Sequence, residues 1–336
     1  MRIVLSRLSA FGDIVHTWPL AEALVAGPER VELAWVVEEP LLPLVAAHPA
    51  VTLAIPVATR RWRRHPFAAA TRREVVAARA ALRRFGADLA LDPQGLVKSA
   101  VWAALSRAGE RAGLDRAHRR EALAGAWYTR TVSPAPEARH VVDINLSLLA
   151  ALGRRPPFGA APDGRFLLGG GACDGGERVA GRVALLPATG GAGKSWPAAS
   201  FAGLGRKAAA AGLSPLVVWG PGERKLAEEV AAAAGGAVAL APRTSIPELA
   251  VLLSQCAVVV GGDTGPVHLA AALGVPTVAV FVATDPARNG PRGAHARLVA
   301  AAGTAAGRGR ARTGGAGEVQ VEAVFDALLA AIAGTA

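Results

Sequence analysis

The stretch Cys256–Thr284, CAVVVGGDTGPVHLAAALGVPTVAVFVAT, sets the architecture of the whole chain. Cys256–Val260 is a short β-branched apolar run that reads as a buried strand, and Gly261-Gly262 stops it where the backbone can turn sharply. Asp263-Thr264-Gly265-Pro266 then starts a helix. Asp and Thr are N-cap types, Pro suits the first helical position, and Val267–Leu273 supplies the apolar face until Gly274 ends it. Pro276–Val282 is the next strand, so the unit is βαβ and the fold class is α/β with a parallel sheet. A strand, a Gly-rich turn and a helix start together present backbone N–H groups at the positive end of a helix, where a phosphate or pyrophosphate binds. Asp263, Thr264 and His268 are the polar residues of that turn. A carboxylate there would oppose a phosphate, so Asp263 either caps the helix or holds a sugar hydroxyl.

The same pattern runs upstream. Val183–Leu186 reads as a strand, and Pro187–Pro197, PATGGAGKSWP, as a Gly-rich loop leading to a helix over Ala198–Ala211. Its GGAGKS resembles the end of a phosphate-binding P-loop, but that motif needs a Gly five residues before Gly193, where Ala188 stands. Lys194 in a Gly-rich loop after a strand can still meet a pyrophosphate. Leu216–Trp219 is the following strand, and Glu223 at its carboxyl end either accepts ribose hydroxyls or caps a helix. Beyond Thr284-Asp285-Pro286 a Gly/Arg-rich segment to Gly317 reads as loosely structured, and Val319–Ile332 as a final amphipathic helix.

The first half repeats the theme with more charge. Arg2–Leu8 reads as a strand, Ser9–Asp13 as its loop and Ile14–Val25 as a helix, which places Asp13 at the strand's carboxyl end as a base or as a helix cap. Val31–Val37, Val51–Val57 and Asp88–Leu91 are further strands. The last runs into DPQGLVKSA, directing Lys98 toward the same sheet edge as Asp13. Between residues 60 and 84 nine arginines accompany a single acid, Glu74. The loop Arg60, Arg61, Trp62, Arg63, Arg64 is the densest part; such crowding points to a multiply anionic ligand, with Trp62 stacking on a base or anchoring at a lipid interface. Residues 1–168 hold 23 Lys and Arg against 15 Asp and Glu, and the rest hold 14 against 11, so the positive excess lies in the first half.

At 336 residues the chain exceeds what one core usually supports, and two α/β domains are expected, joined through the Gly/Pro-rich stretch Arg154–Gly181. Gly, Pro or charge interrupts every apolar run before it reaches a bilayer-spanning length. The N-terminus opens directly into a strand, without the apolar core and cleavage site of a secretion signal. Cys173 and Cys256 are far apart and form no metal pattern, which fits a reducing compartment.

Six segments in order, SAFGDIVHTWPL, IPVATRRWRR, LDPQGLVKSA, KSWP, GGDTGPVHLAAALGVPTVAVF and ATDP, resemble the ADP-heptose:lipopolysaccharide heptosyltransferases, a family of inverting GT-B glycosyltransferases. The resemblance implies a GT-B fold, two Rossmann-like domains facing across a central cleft. Residues 1–165 would bind the acceptor, 166–317 would bind ADP-heptose, and a C-terminal helix in 318–336 would pack back on the N-terminal domain. It implies ADP-L-glycero-β-D-manno-heptose as donor substrate and Kdo2-lipid A as acceptor, with no metal and no cofactor. Asp13 would then be the general base, and Lys194 would offset charge building on the ADP leaving group. Thr189, Glu223, Asp263, Thr264, Gly265 and His268 match donor-binding positions, and Arg60, Arg61, Arg63, Arg64, Lys98 and Arg120 match acceptor-side ones. Such an enzyme works in the cytoplasm, peripherally on the inner membrane, where interfacial arginines and Trp62 help hold it. RRWRR and DPQGLVKSA look most like the branch that adds the first heptose to O5 of the inner Kdo. The alternatives are a branch acting on an already heptosylated core and a GT-B sugar-nucleotide epimerase. A nucleic-acid partner is not expected, because the Arg cluster has only Trp62 as a stacking platform and no recognition-helix motif accompanies it.

Overall fold

Short apolar runs alternate with helices along the whole chain, and each half folds around its own parallel sheet. The computed structural model describes residues 1–169, 177–190, 193, 195–301 and 318–334. Two units result, Met1–Pro162 and Asp163–Ala336.

In the first unit β1 (Arg2–Ser6), β2 (Glu32–Glu38), β3 (Leu53–Val57), β4 (Leu89–Asp92), β5 (Glu110–Leu114) and β6 (Arg130–Val132) line up in the order β3-β2-β1-β4-β5-β6. All neighbours are parallel. β1 is central: Val4 pairs with Ala34 on one side and Ala90 on the other, and Ile3–Ser6 are wholly buried. A parallel strand covered on both faces reads as a continuous apolar run, as IVL does here. In the second unit β7 (Arg182–Leu186), β8 (Ser214–Val217), β9 (Ala239–Leu240), β10 (Val258–Gly262), β11 (Thr277–Phe281) and β12 (Ala296–Ala300) take the order β12-β11-β10-β7-β8-β9. The two orders are the same when each sheet is counted from its own first strand.

That order has one consequence for function. In each sheet the chain winds outward over three strands, returns beside the first, and winds the other way. The crevice for a ligand lies where the direction reverses, at the carboxyl ends of the two central strands. In the first unit this point is flanked by Arg7–Asp13 after β1 and Pro93–Lys98 after β4. In the second it is flanked by Pro187–Gly190 after β7 and Asp263–Gly265 after β10.

Several expectations change on contact with the structure. Gly261 and Gly262 are the last residues of β10 and not the turn after it. A Cβ on Gly261 would lie 2.7 Å from Leu186 Cβ and from Val267 Cγ2, so glycine is required there to let β7 and the following helix approach. The segment expected as one helix over Ile14–Val25 is two, Phe11–Val15 and Trp18–Val25, with Pro19 near the start of the second. RRWRR is not a loop: Thr59–Arg64 is a helix of its own, followed by the helix Ala69–Phe85. The segment after Thr284 holds a short helix, Pro286–Asn289, and the edge strand β12. The C-terminal helix runs over Val321–Ala333. Its buried residues Val324, Leu328 and Ala331 belong to the core of the second unit, beside Phe201, Leu204, Val278 and Val280, because its apolar stripe completes the cover of that unit's sheet.

Candidate active site

Asp13 lies in the third position of the Phe11–Val15 helix, where its Oδ2 accepts the Ala10 amide at 3.2 Å. The carboxylate therefore does cap its helix, and it does more. Arg7, the residue after β1, places Nη2 2.9 Å from Asp13 Oδ1, and Arg120 approaches Asp13 Oδ2 with its Nη2 at 3.3 Å. The two arginines differ. Arg7 is 2% exposed, whereas the Arg120 side chain is half exposed. Burial pushes the Arg7 pKa down from its ordinary value and the neighbouring Asp13 carboxylate pulls it back up.

Arg7 is also tied to the second flank of the crevice: its Nη1 donates to the Pro93 carbonyl at 2.8 Å. The turn after β4 is built on Asp92, which is completely buried. Its carboxylate accepts the amides of Gln94 and Gly95, the Ser99 hydroxyl and the Tyr128 hydroxyl. Gln94 then reaches back, its Oε1 accepting the Leu8 amide at 2.8 Å, so the two loops are stitched together. Lys98 donates to Ser9 Oγ at 3.0 Å, which brings the predicted acceptor-side lysine onto the Asp13 loop. Its pKa is lowered by burial, with Glu38 opposing and the charges of Arg60 and Arg63 adding to the decrease.

The arginine helix sorts into two groups. Arg60, Arg63 and Arg64 are exposed and carry no ion pair among the described residues. Arg61 bridges Glu39 (3.0 Å) and Glu74 (2.9 Å). Trp62, expected at an interface, faces inward: its indole N–H donates to Glu74 Oε2 and its ring packs 6.0 Å from that of Trp102. That reading of Trp62 is corrected, because the indole completes the seat of the helix against the first unit's core. Glu38 holds the same helix from its other end, accepting the Thr59 amide at 3.1 Å and the Thr59 hydroxyl.

Among the described residues, the reversal point of the second unit is chemically milder. Thr264 is the N-cap residue of the helix Gly265–Ala272, with no side-chain cap bond. Asp263 does not cap it; its Oδ2 accepts the Thr284 hydroxyl at 3.0 Å and its Oδ1 lies 3.5 Å from His268 Nε2. The first amides of that helix, which intrahelical bonds do not use, belong to Thr264 and Gly265 at the reversal point. On the other flank Thr189 Oγ1 bonds Ser195 Oγ at 2.5 Å. Trp196 anchors that loop, its indole N–H donating to the Val319 carbonyl at 2.9 Å and its ring meeting Phe201 edge-on. Lys194 lies outside the described residues. Glu223 stands beyond β8, at the N-cap of the helix Arg224–Ala233, and its Oε2 accepts the Gly220 amide at 2.7 Å.

Sequence reasoning placed Asp13, Lys98 and Arg120 on one site, and Asp263, Thr264, Gly265 and His268 on another; the structure brings the members of each together. It passed over Arg7, Glu38, Asp92 and Gln94. The available signal was positional, since Arg7 and Asp92 are charged residues at the carboxyl ends of the central strands β1 and β4, and Glu38 ends the neighbouring β2.

The sequence profile of glycosyltransferase family 9 (heptosyltransferase) matches residues 75–313. A curated lipopolysaccharide heptosyltransferase 1 of Pseudomonas aeruginosa is 36% identical over 309 residues, covering 87% of this chain and 82% of that protein. The structure of E. coli heptosyltransferase WaaC with ADP aligns at a TM-score of 0.81 and 31% identity over 98% of this chain and 100% of that one. The same E. coli enzyme with ADP-2-deoxy-2-fluoro heptose aligns at 0.76 and 32% identity, over 97% and 98%.

Proposed function

Because this chain belongs to glycosyltransferase family 9, the heptosyltransferases, and carries out heptosyl transfer in lipopolysaccharide synthesis, we propose that it moves L-glycero-D-manno-heptose from ADP-heptose to O5 of the inner Kdo of Kdo2-lipid A. Its fold is the GT-B-like pair of parallel six-stranded sheets. One observation carries the acceptor assignment: Asp13, a carboxylate just past the carboxyl end of the central strand, has the half-exposed Arg120 against its two oxygens and Lys98 on Ser9 of the same loop. An anionic sugar acid meets cations on both sides of a base at that point.

Asp13 takes the proton of the Kdo hydroxyl as its oxygen bonds the anomeric carbon, and the bond from that carbon to the diphosphate breaks, ADP leaving with the electron pair. The anomeric configuration inverts. On the donor side the amides at Thr264-Gly265 and the Lys194 ammonium meet the charge on ADP, without a metal ion. Asp263 holds heptose hydroxyls, Thr189 and His268 the diphosphate region, and Glu223 the ribose through its remaining oxygen. Arg60, Arg63 and Arg64 bind the carboxylates and phosphates of the acceptor headgroup, while Arg61 braces their helix. The enzyme works peripherally on the cytoplasmic face of the inner membrane; no described helix is long and apolar enough to cross it.

ADP release from ADP-heptose tests this with two deacylated acceptors, the Kdo2-lipid A core and the same core already carrying one heptose. Release with the first alone, undiminished by a chelator, is the expected result. Release with the second alone moves the assignment to the later heptosyltransferase, and silence with both reopens the donor sugar.

A further inference from the structure

We infer that Arg7 is a positioning residue for the transfer, one that fixes the Asp13 carboxylate by its Oδ1 and leaves Oδ2 as the oxygen that receives the proton. The inference rests on the reading of Asp13 as base and extends it to a residue that never meets the substrate.

Three features carry it. First, the guanidinium is held at two points: Nη2 on Asp13 Oδ1 at 2.9 Å and Nη1 on the Pro93 carbonyl at 2.8 Å. A planar fork gripped at both prongs has little freedom to rotate, so the carboxylate it holds inherits a fixed orientation relative to the turn after β4. Second, the Arg7 backbone is itself pinned, its carbonyl accepting the indole N–H of the buried Trp35 at 3.0 Å. Third, the residue is 2% exposed and its Nε has no hydrogen-bond partner among the described residues. A buried guanidinium with one N–H unmet is a poor way to fill space, since an apolar side chain of similar volume would avoid the desolvation cost. What the arginine supplies and an apolar residue would not is the grip on Asp13.

The two oxygens of Asp13 are thereby made unequal. Oδ1 faces a buried cation that no acceptor can displace. Oδ2 faces the Ala10 amide and Arg120, whose half-exposed side chain, 3.3 Å from Oδ2 and 3.5 Å from Oδ1, an anionic acceptor can draw away from both, leaving Arg7 on Oδ1 alone. Misplacing a catalytic group by about 1 Å can cost about 10²-fold in rate without touching substrate affinity.

The experiment is steady-state kinetics on Arg7→Met, Arg7→Lys, Asp13→Asn and the Arg7→Met/Asp13→Asn double variant, each checked by thermal melting. Arg7→Met is expected to lower kcat by about 10²-fold while both KM values stay within about twofold of the parent, a split that general loosening of the fold would not produce. Arg7→Lys, which keeps one charge on Asp13, should recover most of that loss. In the Asp13→Asn background, Arg7→Met should add almost nothing, because two residues acting through one group are not additive. Multiplicative losses in the double variant, or unchanged kcat in Arg7→Met, would overturn the inference. Parent-like turnover in Asp13→Asn would instead remove the base assignment itself, and is read independently of Arg7. Should Arg7→Met fail to fold, Arg7→Gln decides in its place: parent-like kcat there is equally fatal.

Discussion

The two reversal points occupy the same place in sheets of the same strand order, yet one is built from charge and the other from backbone. Around Asp13 the first unit gathers Arg7, Arg120 and Lys98, with Glu38 and Asp92 setting the loops behind them. Around Thr264 the described residues of the second unit offer a helix start, hydroxyls and one Asp263–His268 pair. On the proposed reading, the difference follows from what each would hold. A diphosphate is compact and fits a row of amides at a helix end, whereas a headgroup with carboxylates and phosphates spread over several sugars needs long, separately placed cations. Equal topology fixes where a ligand goes; side chains decide what it is.

The largest break in this comparison comes from Asp13→Ala. We expect kcat to fall by about 10²–10⁴-fold, the usual share of a general base, while calorimetric titration with ADP-heptose gives parent-like affinity. A parallel loss of donor affinity would mean that the two points do not divide the labour in this way. Gly261→Ala attacks the other point through packing. The new Cβ meets Leu186 Cβ and Val267 Cγ2 at 2.7 Å and the Leu186 carbonyl oxygen at 3.0 Å, so a cost of about 1–3 kcal/mol is expected from overpacking. The melting temperature should drop by several degrees and ADP affinity should fall with it, because the helix start is what the strand must push aside. An unchanged melting curve would contradict the contact.

How much of this was readable from the chain alone depends on where each element lies. The central strands β1, β4, β7 and β10 are buried on both faces and announce themselves as apolar runs. The strands β5 (ERAGL), β6 (RTV) and β12 (ARLVA), toward the sheet edges, went unread because their half-covered faces leave charge and glycine among the apolar residues. The site shows the same division. Asp13, Lys98 and Asp263 stand out as polar residues just past a buried strand. The role of Arg7 depends on the carbonyl of Pro93, 86 residues away, and no local pattern encodes that pairing. Trp62 misled for a related reason: four flanking arginines made it look interfacial, while its true partners, Glu74 and Trp102, are supplied by other helices.

The arginine helix provides a finer test. Arg60→Ala with Arg63→Ala should raise the acceptor KM by about 10-fold, two exposed charge contacts each contributing up to about 1 kcal/mol, and leave donor KM, kcat and melting temperature unchanged. Arg61→Ala should do the opposite, lowering the melting temperature slightly through the lost Glu39 and Glu74 contacts with little effect on the acceptor KM. Equal effects from all three would show that the inward and outward arginines are not distinct.

The smallest effect is one of pH, and it joins the helix to the crevice. Lys98 titrates below an ordinary lysine because it is partly buried, and because Arg60 and Arg63 repel its proton more than distant charges would, with Glu38 working against both. A cation that binds an anionic acceptor contributes fully while protonated, so the acceptor KM should be flat below the lowered pKa and climb as pH rises through it. Removing Arg60 and Arg63 takes away two like charges, so Lys98 should hold its proton to higher pH and the climb should move toward alkaline values, even though the KM itself is worse at neutral pH. The Lys98→Met variant should lose the climb altogether. If the climb stays in place in both variants, some other group titrates there, and Lys98 is not the cation that meets the acceptor.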